Sequence, residues 1–571
     1  MNFKKPRTRA QLNRALMAGS AVMLTGGLLT GSAIGQGPSG TQSFRNASGI
    51  LRTVPTNGFI DRSGPFFQPL GKAFPITCEH CHFAGEAWGI SSAHAQQLFN
   101  STNGMHPLFT AGTASDFLAA QVPGNVDTLA KRQTQYNLML SKGLALVRRN
   151  FAPTTAEFDI VGVKPPAGFA AGQSPTMIAA PDGSGDLIVD GAWYLNYTAS
   201  SNAGTPQIWV YRRPLPTTNF RFLTAVGWDG QDTRQAPDPL RRPTSAGSFD
   251  VARSTIRGRE TGPTLIAPDN HAYTNPELDT LATQLNEFMF STITAQDFDN
   301  GAGALNANGA NGGVFNLINT VNYFGINDVL EGDLMVVPGA APNTVKEVFS
   351  GAPFNPNVFV QYSAWNGNSN TARASIARGQ VLFNQTNRFI IDDVNGIQAN
   401  NRIINGIVEN PAPITGATLT FPDSRVANGL TGVVPGSIAG CVTCHDSPNI
   451  GNHSTRLPIN IGVADIKPAG SNNNANPNLN NSNLPVFYLR NKLTNTLVLT
   501  TDPGRAIISG RWAHIAQFKG PILRGLVNRA PFFHSGMAKN LEAVIEFYDK
   551  RFQANFTTQE KVDLVAFLKT L

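Results

Sequence analysis

Cysteine is scarce in this chain, with 4 in 571 residues, and Asp, Glu, Lys and Arg together make up only 14%. Four cysteines cannot staple a protein of this length, so stability has to come from packing. No basic run interleaved with aromatics is present, which removes the electrostatic footprint of a nucleic-acid binder. Beyond the N-terminal segment, no stretch reaches the roughly eighteen uninterrupted apolar residues of a membrane-spanning helix. Acidic charge is missing from residues 1–35, which hold Lys4, Lys5, Arg7, Arg9 and Arg14. The formal charge of +7 therefore falls to +2 for the rest, with 39 basic against 37 acidic residues.

That basic start precedes an apolar run from Ala15 to Leu29 and the small residues Ala33-Ile34-Gly35. The order reads as a secretory signal cleaved near residue 35, with an uncleaved anchor as the alternative. The segment contains no twin arginine, which favours the general export route. The remaining chain is long enough for two or three domains with cores of their own. Its 55 Gly and 38 Pro, with many Asn, point to long ordered loops.

All four cysteines belong to two short motifs, Cys78-Glu79-His80-Cys81-His82 and Cys441-Val442-Thr443-Cys444-His445. On one helical turn the cysteines of C-x-x-C-H fall at i and i+3 and the histidine at i+4, so all three side chains leave one face. Such a face can bind two porphyrin vinyl groups as thioethers and offer an imidazole to the iron, which is c-type haem attachment. A zinc site would need further soft ligands at matching spacing, and a redox dithiol would want a βαβ context. Neither is present. Cys78, Cys81, Cys441 and Cys444 are thus the expected attachment points of two haem c groups, and His82 and His445 their proximal ligands. Attachment of this kind takes place outside the cytoplasm, as the export signal requires.

Near the first motif, His80, His94, Met105 and His106 could approach an iron from its open side, or serve as loop or propionate hydrogen-bonding groups. Val126 to Val147 reads as a helix, whereas Asp186–Asp190, Ala192–Tyr197 and Gln207–Tyr211 read as β-rich pieces of a small insertion. Pro276–Phe290 and Gly332–Phe349 read as helical. Near the second motif the candidate sixth ligands are His453, Tyr488, His514, His534, Met537 and Tyr548. Asn540 can cap a helix whose Leu541, Val544, Ile545 and Tyr548 stand at i, i+3, i+4 and i+7, which places Tyr548 on its buried face. Thr557 and Glu560 form a capping box before a last helix. Arg505, Lys519 and Arg524 are candidate partners for haem propionates.

Two C-x-x-C-H motifs, Trp228-Asp229-Gly230 between them, and Ala530-Pro531-Phe532-Phe533-His534-Ser535-Gly536 near the end resemble the bacterial di-haem cytochrome c peroxidase superfamily, which includes the MauG enzymes. The likeness spans most of residues 45–571. It is strongest from Ala374 onward, where Arg378-Gly379-Gln380-Val381-Leu382-Phe383 precedes the second motif as a helix does in that family. The resemblance implies a mainly α fold with two cytochrome c-like haem domains, long loops and a small β insertion. The expected divisions are a signal peptide (1–35), an N-terminal haem region (45–270, with the insertion at about 151–220), a connecting insertion (271–370) and a C-terminal haem domain (371–571).

The implied activity is reduction of hydrogen peroxide in the periplasm, with electrons from a small cytochrome or cupredoxin. By the family match, Trp228 relays electrons between the haems. Glu260, in Arg253–Gly262, is the candidate for moving a proton between the two peroxide oxygens, or else a solvated acid paired with Arg257 or Arg259. In the peroxidase branch a methionine ligand follows the histidine of the A-P-Y/F-x-H-x-G motif by fourteen residues. Here that position is Tyr548, as in MauG-like members, with His534 as the competing ligand. The family also holds a calcium ion between the haems, and a homodimer is a further expectation. MauG-like oxidation of a partner protein, oxygenase chemistry on the same scaffold and a non-enzymatic di-haem electron carrier are the alternative readings.

Overall fold

The computed structural model describes residues 33–36, 40–71, 77–110, 126–164, 175–200, 202–230, 271–323, 325–327, 334–336, 345–347, 354–391, 403–404, 407–408, 437–454, 458–466 and 484–571. A first antiparallel sheet has the order Ala33–Gln36, Gln42–Asn46, Gly49–Pro55, Thr292–Asp299, Gly303–Ala304. Gln42–Asn46 alternates between buried and more open positions, the period of a strand with one covered face. Thr53 and Thr294 face one another across the sheet and their buried hydroxyls bond at 2.8 Å, so neither is left unsatisfied. A strand from the 271–370 stretch thus closes on the strand that leads into the first motif.

A second antiparallel sheet has six strands in the order Asp465–Ile466, Leu497–Thr500, Val486–Asn491, Phe158–Lys164, Leu187–Asp190, Met177–Ala179. Its central pairing sets Phe487 opposite Val163 and Leu489 opposite Ile160. These side chains are buried with Phe158, Trp209 and Val498 in one core. Strands that follow the second motif and strands from the 151–220 stretch therefore share one apolar layer.

Three local expectations are corrected. Ala192–Tyr197 lies in a helix, Gly191–Ser200, because Asp190 accepts the Trp193 amide at 2.8 Å and so caps its first turn. The stretch from Val126 to Val147 breaks into helices Leu129–Gln135 and Asn137–Lys142, then enters the strand Ala145–Asn150. Gly143 causes that break: it ends the second helix at φ +62°, and a Cβ there would stand 1.7 Å from an Arg213 nitrogen. Within Gly332–Phe349 the described residues form paired strands, Leu334–Val336 and Val345–Glu347, whose residues face one another in antiparallel register.

Other helices stand where expected. Asn275–Ser291 begins with a capping box between Thr274 and Glu277. Thr371–Phe383 precedes the second motif, and Thr558–Leu568 follows the Thr557 and Glu560 box. These last two helices are joined by Asp563, which accepts Arg378 Nε at 2.7 Å, Arg378 Nη2 at 2.8 Å and Ser375 Oγ at 2.6 Å. Against them lies Leu541–Arg551, whose N-cap Asn540 accepts the Ala543 amide at 2.9 Å. Among the described residues no helix is long and apolar enough to cross a membrane.

Candidate haem-attachment site

Both motifs adopt the turn their spacing demands. Cys441–Cys444 is one α-turn, closed by the His445 amide on the Cys441 carbonyl at 3.0 Å. Cys78–His80 is a tighter turn, and the His82 amide reaches the Cys78 carbonyl at 3.0 Å. No disulfide joins any of the four cysteines. Gly440 lets the second turn form: a Cβ there would lie 1.8 Å from the Gln385 carbonyl oxygen, so no larger residue fits before Cys441.

The histidines are prepared alike. His445 Nδ1 donates to the Gly451 carbonyl at 2.6 Å, and His82 Nδ1 donates to the Trp88 carbonyl at 3.1 Å. A carbonyl can only accept, so the proton sits on Nδ1 and the Nε2 lone pair is left to bind a metal. Burial keeps both rings neutral. It holds His445 down to about 4, with His453 adding to the effect and the bond to Gly451 opposing it. His82 is lowered by burial too, against the bond to Trp88. Burial pushes the Cys441 and Cys444 thiols up to about 12, so neither is the thiolate that disulfide exchange requires.

Cys441, Cys444 and His445 open into a cleft enclosing about 1620 Å³ of non-atom space, open solvent included. Leu541, Val544, Ile545 and Tyr548 all line it, so the i, i+3, i+4, i+7 face of their helix is the wall. Phe383 brings its ring within 6.5 Å of His445, and Tyr548 stacks on Phe389 at 5.9 Å and 10°. Burial raises the Tyr548 hydroxyl, with Cys444 and Cys441 adding to the effect. His534 and Trp228 face the same cleft. His534 is 2% exposed, and its Nε2 makes no hydrogen bond, the nearest carboxylate, Asp502, standing 4.0 Å away.

Cys78 and His82 line a second cavity of about 1050 Å³ by the same measure. Pro216, Lys519, Pro521, Ile522 and Arg529 line both cavities and form their common wall. Gly227 faces the Cys78 cavity and its neighbour Trp228 the Cys441 cleft. The Trp228 indole Nε1 donates to the Arg213 carbonyl at 2.7 Å.

Four cations surround these spaces. Arg213 lines the first, Arg524 the second, and Lys519 and Arg529 both, while no carboxylate lines either among the described residues. Arg524 keeps a buried Nη1 with no hydrogen-bond partner. Burial, with Arg529 adding to the effect, holds Lys519 down to about 7 and Arg213 to about 9. Burial alone holds Arg529 to about 10. Among the described residues none of the four makes an ion pair, although Asp229 acts on Lys519 and Glu86 on Arg213 from further off; buried cations of this kind call for anions, and two haems would bring four propionates. Apolar walls, paired attachment turns, prepared imidazoles and these cations all fit haem c.

The predicted residues are thus partly brought together. Cys78 and His82 meet Lys519 and Arg524 at one cavity, and Cys441, Cys444, His445, Lys519, Trp228, His534 and Tyr548 meet at the other. Cys81 completes the first turn and, like Phe83 and Leu98, packs against the neighbouring apolar cluster that holds Ile90, Phe99 and Leu140. Arg505 lies apart from both cavities and donates to the Asp229 carbonyl at 3.1 Å. Glu260 and all of Arg253–Gly262 fall outside the described residues. Of the other candidate ligands, Met105 is exposed, His80 bonds the Thr77 amide and His94 stands beside Glu86. Tyr488 belongs to a sheet strand and His514 bonds Ser509. Among the described residues no group of three His, Cys, Asp or Glu could hold a metal; a calcium ion bound by backbone and amide oxygens needs none.

The sequence reading missed Arg213, Arg529 and Met289. The first two gave no signal, since a propionate-facing arginine has no periodicity of its own. Met289 lines the Cys78 cavity, and its place four residues after Leu285 on one helix could have shown it.

No family model matches the chain. Over 208 residues it is 30% identical to a protein named cytochrome-c peroxidase IdrP2 from Denitromonas iodatirespirans, covering 32% of this chain and 51% of that one. The chain is similar to cytochrome-c peroxidases. Over 148 residues it is 31% identical to a protein of the same name from a Pseudomonas species, covering 23% of this chain and 36% of the relative. With the cytochrome c551 peroxidase of Nitrosomonas europaea, identity is 32% over 135 residues, covering 23% of this chain and 30% of the relative. The chain spans about half, or less, of the length of these curated relatives.

Proposed function

We propose that this chain is an exported di-haem c-type peroxidase that reduces hydrogen peroxide with electrons from a small periplasmic redox protein, a cytochrome or a cupredoxin. The observation that carries the reading is a pair of C-x-x-C-H turns opening on two cavities with a common wall. Names of the similar proteins support it. We assign the two haem regions, 45–270 and 371–571, to cytochrome c-like domains joined by the six-stranded sheet.

Haem c, when bound at both motifs, supplies one iron that takes peroxide and another that stores an electron. The chain's own residues prepare this. His82 and His445 present Nε2 lone pairs, and the apolar walls keep water from the attachment turns. Lys519, Arg529, Arg213 and Arg524 compensate the propionates. Trp228 stands at the junction of the cavities with its N–H fixed, and its indole can relay an electron between them. Glu260 is the group we assign to proton transfer at peroxide.

Tyr548 on the Cys441 cleft favours a second reading, MauG-like oxidation of a partner protein, because a phenolate ligand lowers an iron's potential. One experiment separates these readings from a plain electron carrier. Peroxide consumption is followed with and without a reduced small cytochrome, in the intact protein and in Cys78→Ala/Cys81→Ala. The peroxidase reading expects consumption that requires the reduced donor and disappears in the variant. Irons that stay six-coordinate in every redox state, with no peroxide turnover, would leave only the carrier.

A further inference from the structure

Lys519 stands in the wall common to both cavities, 8% exposed, and is fastened at two points to the segment that carries Trp228. Its amide donates to the Trp228 carbonyl at 2.9 Å, and its Nζ donates to the Ala225 carbonyl at 2.9 Å. An ammonium has three donors, and Ala225 is the acceptor the described residues provide, so two protons remain for anionic groups in the two cavities.

The other cations are placed differently. Arg213 lines the Cys441 cleft alone and Arg524 the Cys78 cavity alone. Arg529 lines both, but its Nη1 is held by the carbonyls of Ile522 and Arg524 at 2.9 and 3.0 Å. We propose that Lys519 is a positioning residue that couples the two haem sites: its one ammonium charge, in the wall common to both cavities, would bear on the anionic groups of a haem held in either, and its two bonds fasten the segment that carries Trp228. The inference rests on the two-haem reading above. Its physical basis is that a buried charge acts over several ångströms in a medium of low dielectric, so a cation between two redox groups biases both.

The test compares the intact protein with Lys519→Gln and Lys519→Arg by spectroelectrochemical titration of both haems, after mass spectrometry has counted the attached groups. Losing a positive charge favours the more positive ferric state. Lys519→Gln is therefore expected to move both midpoint potentials downward, and Lys519→Arg to leave both in place. A glutamine variant with two haems in which one potential or neither moves overturns the coupling. So does an arginine variant with two haems whose potentials are displaced, and that result stands even if the glutamine variant does not fold. Fewer than two attached haems in the intact protein would instead overturn the two-haem reading itself.

Discussion

The rings of His534 and Trp228 stand 6.1 Å apart, inclined at 65°, on one wall of the Cys441 cleft. Phe518 stacks on the histidine at 3.8 Å and 18°. Trp228 is thereby held by an edge-to-face ring contact as well as through its N–H. Replacement by phenylalanine keeps the aromatic body and removes the indole. For Trp228→Phe, donor-dependent peroxide turnover is expected to fall at least tenfold while both haem potentials and the melting temperature stay close to the parent values. Unchanged turnover would remove Trp228 from the electron route.

Tyr548 and His534 both line the Cys441 cleft and are the candidate ligands for an iron held there. Tyr548 is the ligand we propose, because the resemblance puts a phenol oxygen where the peroxidase branch has a thioether. Tyr548→Phe should alter the low-field magnetic resonance signal of that haem and raise its potential. His534→Ala should do neither. The reverse outcome reassigns the ligand to His534.

Gly440 touches Gln385 so closely that Gly440→Ala must push the Cys441 turn away from its place. A clash of this kind with backbone costs about 3 kcal/mol or more. Tryptic peptides spanning residue 441 should then lack the haem mass, while those spanning residue 78 keep it. Normal loading at both motifs would show that the turn tolerates the shift.

His514 is neutral in the fold, its pKa held down to about 3, first by burial and then by Arg505 and Arg511. As pH drops below the ordinary histidine value of 6.5, the unfolded chain takes up a proton that the folded chain refuses, so stability is lost progressively from about 6.5 down to 3. His514→Gln removes this contribution. The fall of the melting temperature between pH 7 and 4 should be shallower in the variant, and parallel curves would contradict the burial argument.

Asp563 has a side chain only 3% exposed and joins the helices Thr371–Phe383 and Thr558–Leu568 through Arg378 and Ser375. Asp563→Ala should cost about 2 kcal/mol in urea unfolding, discounted because Arg378 is 47% exposed and solvates readily once released. A loss below about 0.5 kcal/mol would show that apolar contacts alone hold the two helices.

What could be read in advance was what is encoded locally. The C-x-x-C-H turns, the Asn540 cap and the wall face from Leu541 to Tyr548 each follow from residues within one or two helical turns of one another. Ala192–Tyr197 misled because its aromatic residues suit a pleated surface, whereas the deciding bond comes from the Asp190 carboxylate just before it. Gly143 was a legible stop signal inside the run from Val126 to Val147, outweighed there by the apolar periodicity. The common wall of the cavities was not legible. It unites Pro216 with Lys519 and Arg529, and no local pattern records that two such distant segments will meet.

The pairing of Phe158–Lys164 with Val486–Asn491 also dictates an order of assembly. The earlier strand cannot complete its ladder until more than three hundred further residues have been made. During that interval it presents unpaired backbone groups and apolar side chains, the features that invite misassociation of nascent chains. Contacts of such long range also make folding slow. A fragment ending before residue 484 would keep both attachment motifs but leave the six-stranded sheet with an open edge at Phe158–Lys164, and should aggregate even though the motifs are intact.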